Sequence, residues 1–260
     1  MCIETSLLLH LGLNSASFYF FVFGATLVQY NLHYLVKKSA VKNSKRLAWS
    51  LNNRLVHKVL IVSGSALIII SLFSFHLHHF IFLLILGGIA FFYSFPILPF
   101  SEKKRIKDFG LLKIATLALL WTLVTVWFPV DNANFAALTF QLIFLRRFVF
   151  IFTLCLLFDI RDIEIDTQEH IATVAVKLGE KKAHLVCYIL LVIFVLLSIA
   201  QFIWVSDIPQ LAAMLLSAAA TVMTIEFSKK NNSDFIYLAC IDGMILLQAV
   251  LVIFASLIKL

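Results

Sequence analysis

Runs of apolar residues long enough to cross a bilayer recur along almost the whole chain, broken by short polar loops. A crossing needs about 17–25 mainly apolar residues. By that measure eight spans are predicted, near 16–36, 59–75, 80–100, 111–130, 135–158, 183–205, 208–227 and 234–258. Residues 2–13 add an apolar stretch too short to cross the hydrocarbon alone. It reads as a half-span, a helix lying on the membrane surface, or the remainder of a longer helix. No basic residue precedes it and no small-residue cleavage site follows, so it lacks the pattern of a secretory leader. The fold expected is all-α: a polytopic membrane helical bundle of eight full spans and a short N-terminal half-span, with residues 1–260 as one domain.

Composition strengthens this reading. The chain is 62% hydrophobic and 13% charged, with a mean hydropathy of +1.00, values that suit a membrane protein and not a soluble domain. Charge sorts the loops. Lys and Arg number 7 in residues 37–58, 5 in 103–113, 4 in 161–182 and 2 in 229–230, which is 18 of 21. The alternate loops around 76–79, 131–134 and 206–209 hold none. The positive-inside rule therefore places the four basic loops in the cytoplasm and Lys259 at the outer surface. The net charge of +7 reports topology and contact with anionic lipid, not nucleic-acid binding. Cys2, Cys155, Cys187 and Cys240 lie in or beside apolar segments without CxxC spacing, so they read as small core residues.

One passage departs from this pattern. Phe158-Asp159-Ile160-Arg161-Asp162-Ile163-Glu164-Ile165-Asp166 sets four carboxylates and one arginine directly after an apolar run. Asp159, Asp162 and Asp166 stand at i, i+3 and i+7, so a continuous helix would stack them on one face. Like charges so placed repel unless a cation bridges them, and hard oxygen ligands suit Mg²⁺. At a membrane edge such an ion would serve a phosphate or diphosphate. Acidic residues capping a cytoplasmic helix would explain one or two of these carboxylates. Glu164 and Glu169 fall off the shared face and read as solvated charges.

The longer passage FDIRDIEIDTQEHIATVAVKLG, residues 158–179, closely resembles the second aspartate-rich motif of the UbiA superfamily of intramembrane prenyltransferases. Asp159, Asp162 and Asp166 match its aspartates, Arg161 its arginine, Thr173 its threonine, and Leu178-Gly179 its closing pair. YSFPILP at 93–99 and the alternation of spans with charged loops extend the resemblance more weakly along most of the chain. The resemblance implies a helical bundle around a central cavity, with aspartate-rich motifs on the cytoplasmic side holding Mg²⁺ against a prenyl diphosphate. It implies transfer of the isoprenyl group to an aromatic or other lipophilic acceptor. Asp159, Asp162 and Asp166 are then the expected catalytic and metal-binding residues, and Arg161 and Lys177 the expected diphosphate contacts.

The first motif of that family should lie at the cytoplasmic end of an early span. Here Asn31 matches its asparagine, but Leu35 and Ser39 stand at the aspartate positions, and no Asp or Glu occurs between Glu4 and Glu102. Lys38, seven residues after Asn31, shares its helical face and offers a point charge to a diphosphate oxygen; as an ordinary membrane anchor it needs no such role. The alternative to an Mg²⁺-dependent transferase is a catalytically degenerate member that binds lipid or stabilises a partner.

Other polar residues fall within spans. Arg146 and Arg147 sit midway through 135–158, where a charge is costly enough that a cavity or a partner is expected. Asp242 reads equally as a functional carboxylate or as a partner for a basic residue. Gln141 and Gln248 read as interhelical hydrogen-bonding groups, and His76, His78 and His79 as an interfacial turn. A transporter would show inverted repeats or broken span pairs, and neither is evident. A CDP-alcohol phosphotransferase is excluded by Met244-Ile245-Leu246 after Asp242-Gly243.

Overall fold

The computed structural model describes residues 1–36, 45–94, 110–130, 135, 137–168, 171–231, 233 and 235–258. Lys38, Ser39, Glu169, Lys259 and the later part of YSFPILP lie outside them. The described residues are helical, with no strand among them. They divide into two compact units: Asn14–Ile81, and Met1–Leu13 together with Phe82–Leu260.

The smaller unit is built on α2 (Ala16–Val36) and α4 (Arg54–Leu72), with the short α3 (Lys45–Asn52) between them and α5 (Leu77–Ser94) beginning at its end. Two glycines set how closely α2 and α4 approach. A Cβ on Gly24 would stand 2.7 Å from the Gly64 carbonyl oxygen, and one on Gly64 would stand 2.8 Å from that of Gly24. Small residues at a crossing let backbones touch, a common device where no water drives helices together. Ser17 and Ser74 hydrogen-bond at 3.1 Å, and Phe21 packs on Phe75 at 5.2 Å between ring centroids. The histidine turn closes locally: the His76 amide donates to His79 Nδ1, and His79 stacks on Phe75.

The larger unit contains α1 (Cys2–Leu8), α6 (Gly110–Thr122), α7 (Leu138–Arg161), α8 (Ile163–Gln168), α9 (Val174–Leu178), α10 (Glu180–Val205), α11 (Ile208–Lys230) and α12 (Asp242–Ile258). α6 continues into a wider π-helical stretch, Leu123–Trp127, and another, Ile236–Ile241, leads into α12. α7 packs against both α6 and α10. Its side chains Ile143, Phe150, Leu156 and Leu157 are buried, and Phe150 meets Phe194 of α10 at 5.2 Å. Thr5 of α1 donates to the Thr125 carbonyl at 2.7 Å, joining α1 to the π-helical stretch.

Polarity in this unit is arranged as a membrane requires. Thr122, Thr153, Ser217, Thr221 and Gln248 are buried, whereas Leu185, Ile189, Leu196, Ile203 and Trp204 along α10 are exposed. Thr122, Thr153 and Thr221 donate to backbone carbonyls one turn earlier in their own helices, and the apolar exterior suits lipid. Five described helices are long and apolar enough to cross a membrane: Arg54–Leu72, Gly110–Trp127, Glu180–Val205, Ile208–Lys230 and Ile236–Ile258. The predicted spans at 16–36, 80–100 and 135–158 fall on α2, α5 and α7. The apolar stretch 2–13 is helical only over Cys2–Leu8; the chain leaves the helix at Leu9, and His10 adopts a positive φ of 52°.

The two mid-span arginines have partners. Arg147 Nη2 lies 2.8 Å from Glu4 Oε1, with both side chains almost wholly buried, and its Nη1 also contacts Met1 Sδ. Arg146 donates to Gln201 of α10. Arg147 thus meets a carboxylate and Arg146 a neutral amide within the bundle, in keeping with the cost of a charge in hydrocarbon.

Candidate functional site

The apolar run of α7 ends at Phe158, and the aspartates follow at once. The expected continuous helix through Asp159, Asp162 and Asp166 does not form. α7 stops at Arg161, Asp162 takes φ −92° and ψ 8°, and α8 restarts at Ile163. An ion pair sits at the break. Asp162 accepts from the Arg161 side chain through both oxygens, at 2.7 Å from Nε and 3.0 Å from Nη2. That guanidinium also lies over the rings of Phe158 and Tyr237, 5.2 Å from each centroid. Asp162 thus faces Arg161, whereas Asp159 and Asp166 face Lys113, and the expected stack of three carboxylates is a pair and an outlier.

The pair meets at one cation. Lys113 Nζ, one turn into α6, lies 2.8 Å from Asp159 Oδ1 and 3.7 Å from Asp166 Oδ2. The carboxylates are nearly inaccessible, with side-chain exposures of 2% and 8%, whereas the lysine keeps 26%. Asp159 Oδ2 is buried without a hydrogen-bond partner among the described residues. Asp159 and Asp166 therefore aim oxygen ligands at a common point from two helices, although they are seven residues apart in sequence. Among the described residues no three His, Cys, Asp or Glu side chains gather closely enough to hold a metal ion by themselves.

Glycine and threonine place this lysine. A Cβ on Gly110 would lie 2.0 Å from the Ala172 carbonyl oxygen and 2.6 Å from Thr173 Cα. Only glycine lets the first turn of α6 lie directly on the 171–173 segment, which sets Lys113 opposite the aspartates. Thr173 is buried and caps α9, its hydroxyl accepting from the Val176 amide at 3.3 Å. Gly179 joins α9 to α10 at φ 74°, a backbone region that L side chains avoid. The Thr and Leu-Gly positions of the motif thus fix the path of the loop. Lys177 is exposed on α9.

Asn31 lies in the smaller unit and has a different environment. Its amide nitrogen donates to the Leu27 carbonyl at 2.8 Å, and its Oδ1 lies 2.7 Å from His57 Nδ1. The amide oxygen can only accept, so His57 Nδ1 carries the proton. His57 Nε2 is 2.8 Å from Ser50 Oγ, and Tyr34 stacks on the imidazole at 5.2 Å. Asn31, His57 and Ser50 are all buried. Asp242 is exposed at the first position of α12, directly after the π-helical stretch that carries Tyr237.

Two site residues were not singled out by sequence reasoning. Lys113 was grouped with the basic loop 103–113, although an isolated lysine three residues inside an apolar span was a usable signal. Tyr237 gave no signal, because its role depends on a ring-to-guanidinium contact across the fold.

No curated protein and no solved structure matches the chain. The model of the UbiA prenyltransferase family matches residues 51–240, a range that contains Lys113 and the entire aspartate passage. By that match over most of its length, the chain belongs to the UbiA prenyltransferase family.

Proposed function

We propose that this protein is an intramembrane prenyltransferase that moves an isoprenyl group from a prenyl diphosphate to an aromatic or other lipophilic acceptor. The observation that carries this reading is the convergence of Asp159 and Asp166 on one cation at the end of an apolar helix. The donor set suits Mg²⁺: hard carboxylate oxygens, one of them buried without a hydrogen-bond partner among the described residues. Two carboxylates suffice, because Mg²⁺ is commonly held by one or two, with substrate phosphate and water completing its shell. Asp159 and Asp166 would hold the ion, and Asp162 would join them if released from Arg161. When bound, Mg²⁺ offsets the charge that develops on departing diphosphate.

The protein's own groups do the rest. Lys113 and Lys177 supply positive charge to the diphosphate oxygens. The bond between the allylic carbon and the diphosphate oxygen breaks, and its electron pair leaves with the diphosphate. The acceptor then bonds to the allylic carbon and gives up a proton. A single domain of eight spans and a half-span, with the aspartate loop in the cytoplasm, would bring a lipid-borne tail and a water-borne diphosphate together.

The test is diphosphate release from an isoprenyl diphosphate by purified protein, with and without Mg²⁺, for wild type, Asp159→Asn and Asp162→Asn. Release should need Mg²⁺ and fall at least about a hundredfold in Asp159→Asn, the size of loss expected for a transition-state charge partner. Asp162→Asn should fall less. The second reading, a lipid-binding or partner-stabilising member without chemistry, is favoured by Leu35 at a position where the family's first motif carries aspartate. It predicts retained isoprenoid with no diphosphate released by any variant.

A further inference from the structure

We propose that Lys113 is a built-in counter-ion that makes divalent-cation binding at the aspartate pair conditional on diphosphate. The idea rests on the diphosphate-binding reading above and adds a rule for the order in which the site is filled.

The lysine ammonium is already in ion-pair contact with the oxygens that a divalent cation would use, at 2.8 Å from Asp159 and 3.7 Å from Asp166. Both cations want the same oxygens, so the metal must displace the ammonium or share the carboxylates against its repulsion. Among the described residues Arg161 offers no relief, since it is held by Asp162 and by two aromatic rings. Nor can Lys113 withdraw with its helix, because the contact at Gly110 seats the first turn of α6 against Ala172 and Thr173. What can move is the side chain itself. At 26% exposure it has an open route, which the nearly inaccessible aspartates lack.

Charge then decides the order of loading. Asp159, Asp166 and Lys113 together carry about one negative charge, so the pair is held together without metal and has little surplus attraction for it. A divalent cation alone would turn the cluster positive while setting an ammonium free beside it. A diphosphate arriving with the cation reverses that sign and gives the released ammonium a new partner as a point charge. Metal and diphosphate therefore each raise the other's affinity, and by linkage the two factors are equal. The site would stay assembled when empty and would not fill with cytosolic Mg²⁺ until the substrate head group arrives.

The experiment uses Mn²⁺ as the probe and inorganic diphosphate as the head group, with bound metal counted after equilibrium dialysis of the full-length chain in detergent. Wild type should bind Mn²⁺ weakly alone and at least about tenfold more tightly with diphosphate, a modest share of what an ion pair at contact distance supplies. Lys113→Met should bind Mn²⁺ at least about tenfold more tightly than wild type without diphosphate, and should gain little from adding it. Lys113→Arg, which keeps the charge, should resemble wild type. Equal Mn²⁺ affinity of wild type with and without diphosphate overturns the proposal and needs no variant, so a poorly folding Lys113→Met does not protect it. No Mn²⁺ bound under any condition also overturns it. Loss of this coupling with isoprenyl diphosphate turnover intact would retire the lysine lock and leave the transferase; intact coupling without turnover would retire the transferase alone.

Discussion

α7 carries two ion pairs twelve residues apart, roughly 18 Å along a straight helix, and they differ in almost every respect. At mid-helix Arg147 meets Glu4, with 2% and 1% of the side chains exposed. At its C-terminal end Asp159 meets Lys113, with 2% and 26% exposed. The first pair is closed on both sides. The second is closed on the carboxylate side only and shares its lysine with Asp166. A pair sealed on both sides can only hold helices together. One whose cation has a way out can exchange partners. Exposure of the cation, more than the length of the contact, separates a structural ion pair from one available for chemistry.

Breaking the sealed pair should cost the most. Arg147→Met leaves Glu4 charged and unpaired in the bundle, and Glu4→Gln does the same to Arg147. Either should lower stability by about 3–5 kcal/mol, the usual penalty for stranding a buried charge. Arg147→Met with Glu4→Leu removes both charges and should recover most of the loss, because burying two ions repays little over burying apolar groups of similar size. Denaturant unfolding in detergent reads both variants. Equal stability of the single and double variants would show that this pair is not the closed structural lock its burial indicates.

A second test acts on the open pair without touching its charges. Gly110→Ala sets a methyl 2.0 Å from the Ala172 carbonyl oxygen, a distance no packing tolerates. α6 must move away from the 171–173 segment and carry Lys113 with it. The strain should cost about 1–3 kcal/mol, as overpacking does. The sharper reading is functional: Mn²⁺ binding without diphosphate should tighten toward that of Lys113→Met, because the lysine no longer reaches both aspartates. A stability loss with unchanged Mn²⁺ binding would mean that Gly110 supports the fold but does not place Lys113.

Much of this molecule was legible in its sequence, and the parts that were not share a cause. Apolar runs located the helices, since a chain in hydrocarbon must close its backbone hydrogen bonds within each segment. The family followed from the order of Asp159, Arg161, Asp162, Asp166, Thr173 and Gly179, and the family match bears it out. The three aspartates do not stack on one helix: α7 ends at Arg161, and Asp162 pairs with that arginine. Glu4 drew no reading from the sequence; its meaning depends on Arg147, more than a hundred residues away. Lys113 looked like loop charge for the same reason. Periodicity reports what a residue does within its own helix, and ion pairs between helices are invisible to it.

The smallest effect provides the strictest check on the comparison. Asp159→Asn removes one charge from the open pair, but it leaves behind a lysine that is already partly solvated and still has Asp166 beside it. The loss should be about 1 kcal/mol or less, near the value of a single polar contact and well below that of Arg147→Met. The two variants should therefore rank in opposite order in two assays. Arg147→Met should be the less stable, yet should keep metal and diphosphate binding in whatever fraction remains folded. Asp159→Asn should fold normally and lose that binding. If Asp159→Asn proves as destabilising as Arg147→Met, the aspartate end of α7 is a second sealed lock, and the exposure of Lys113 has no bearing on function.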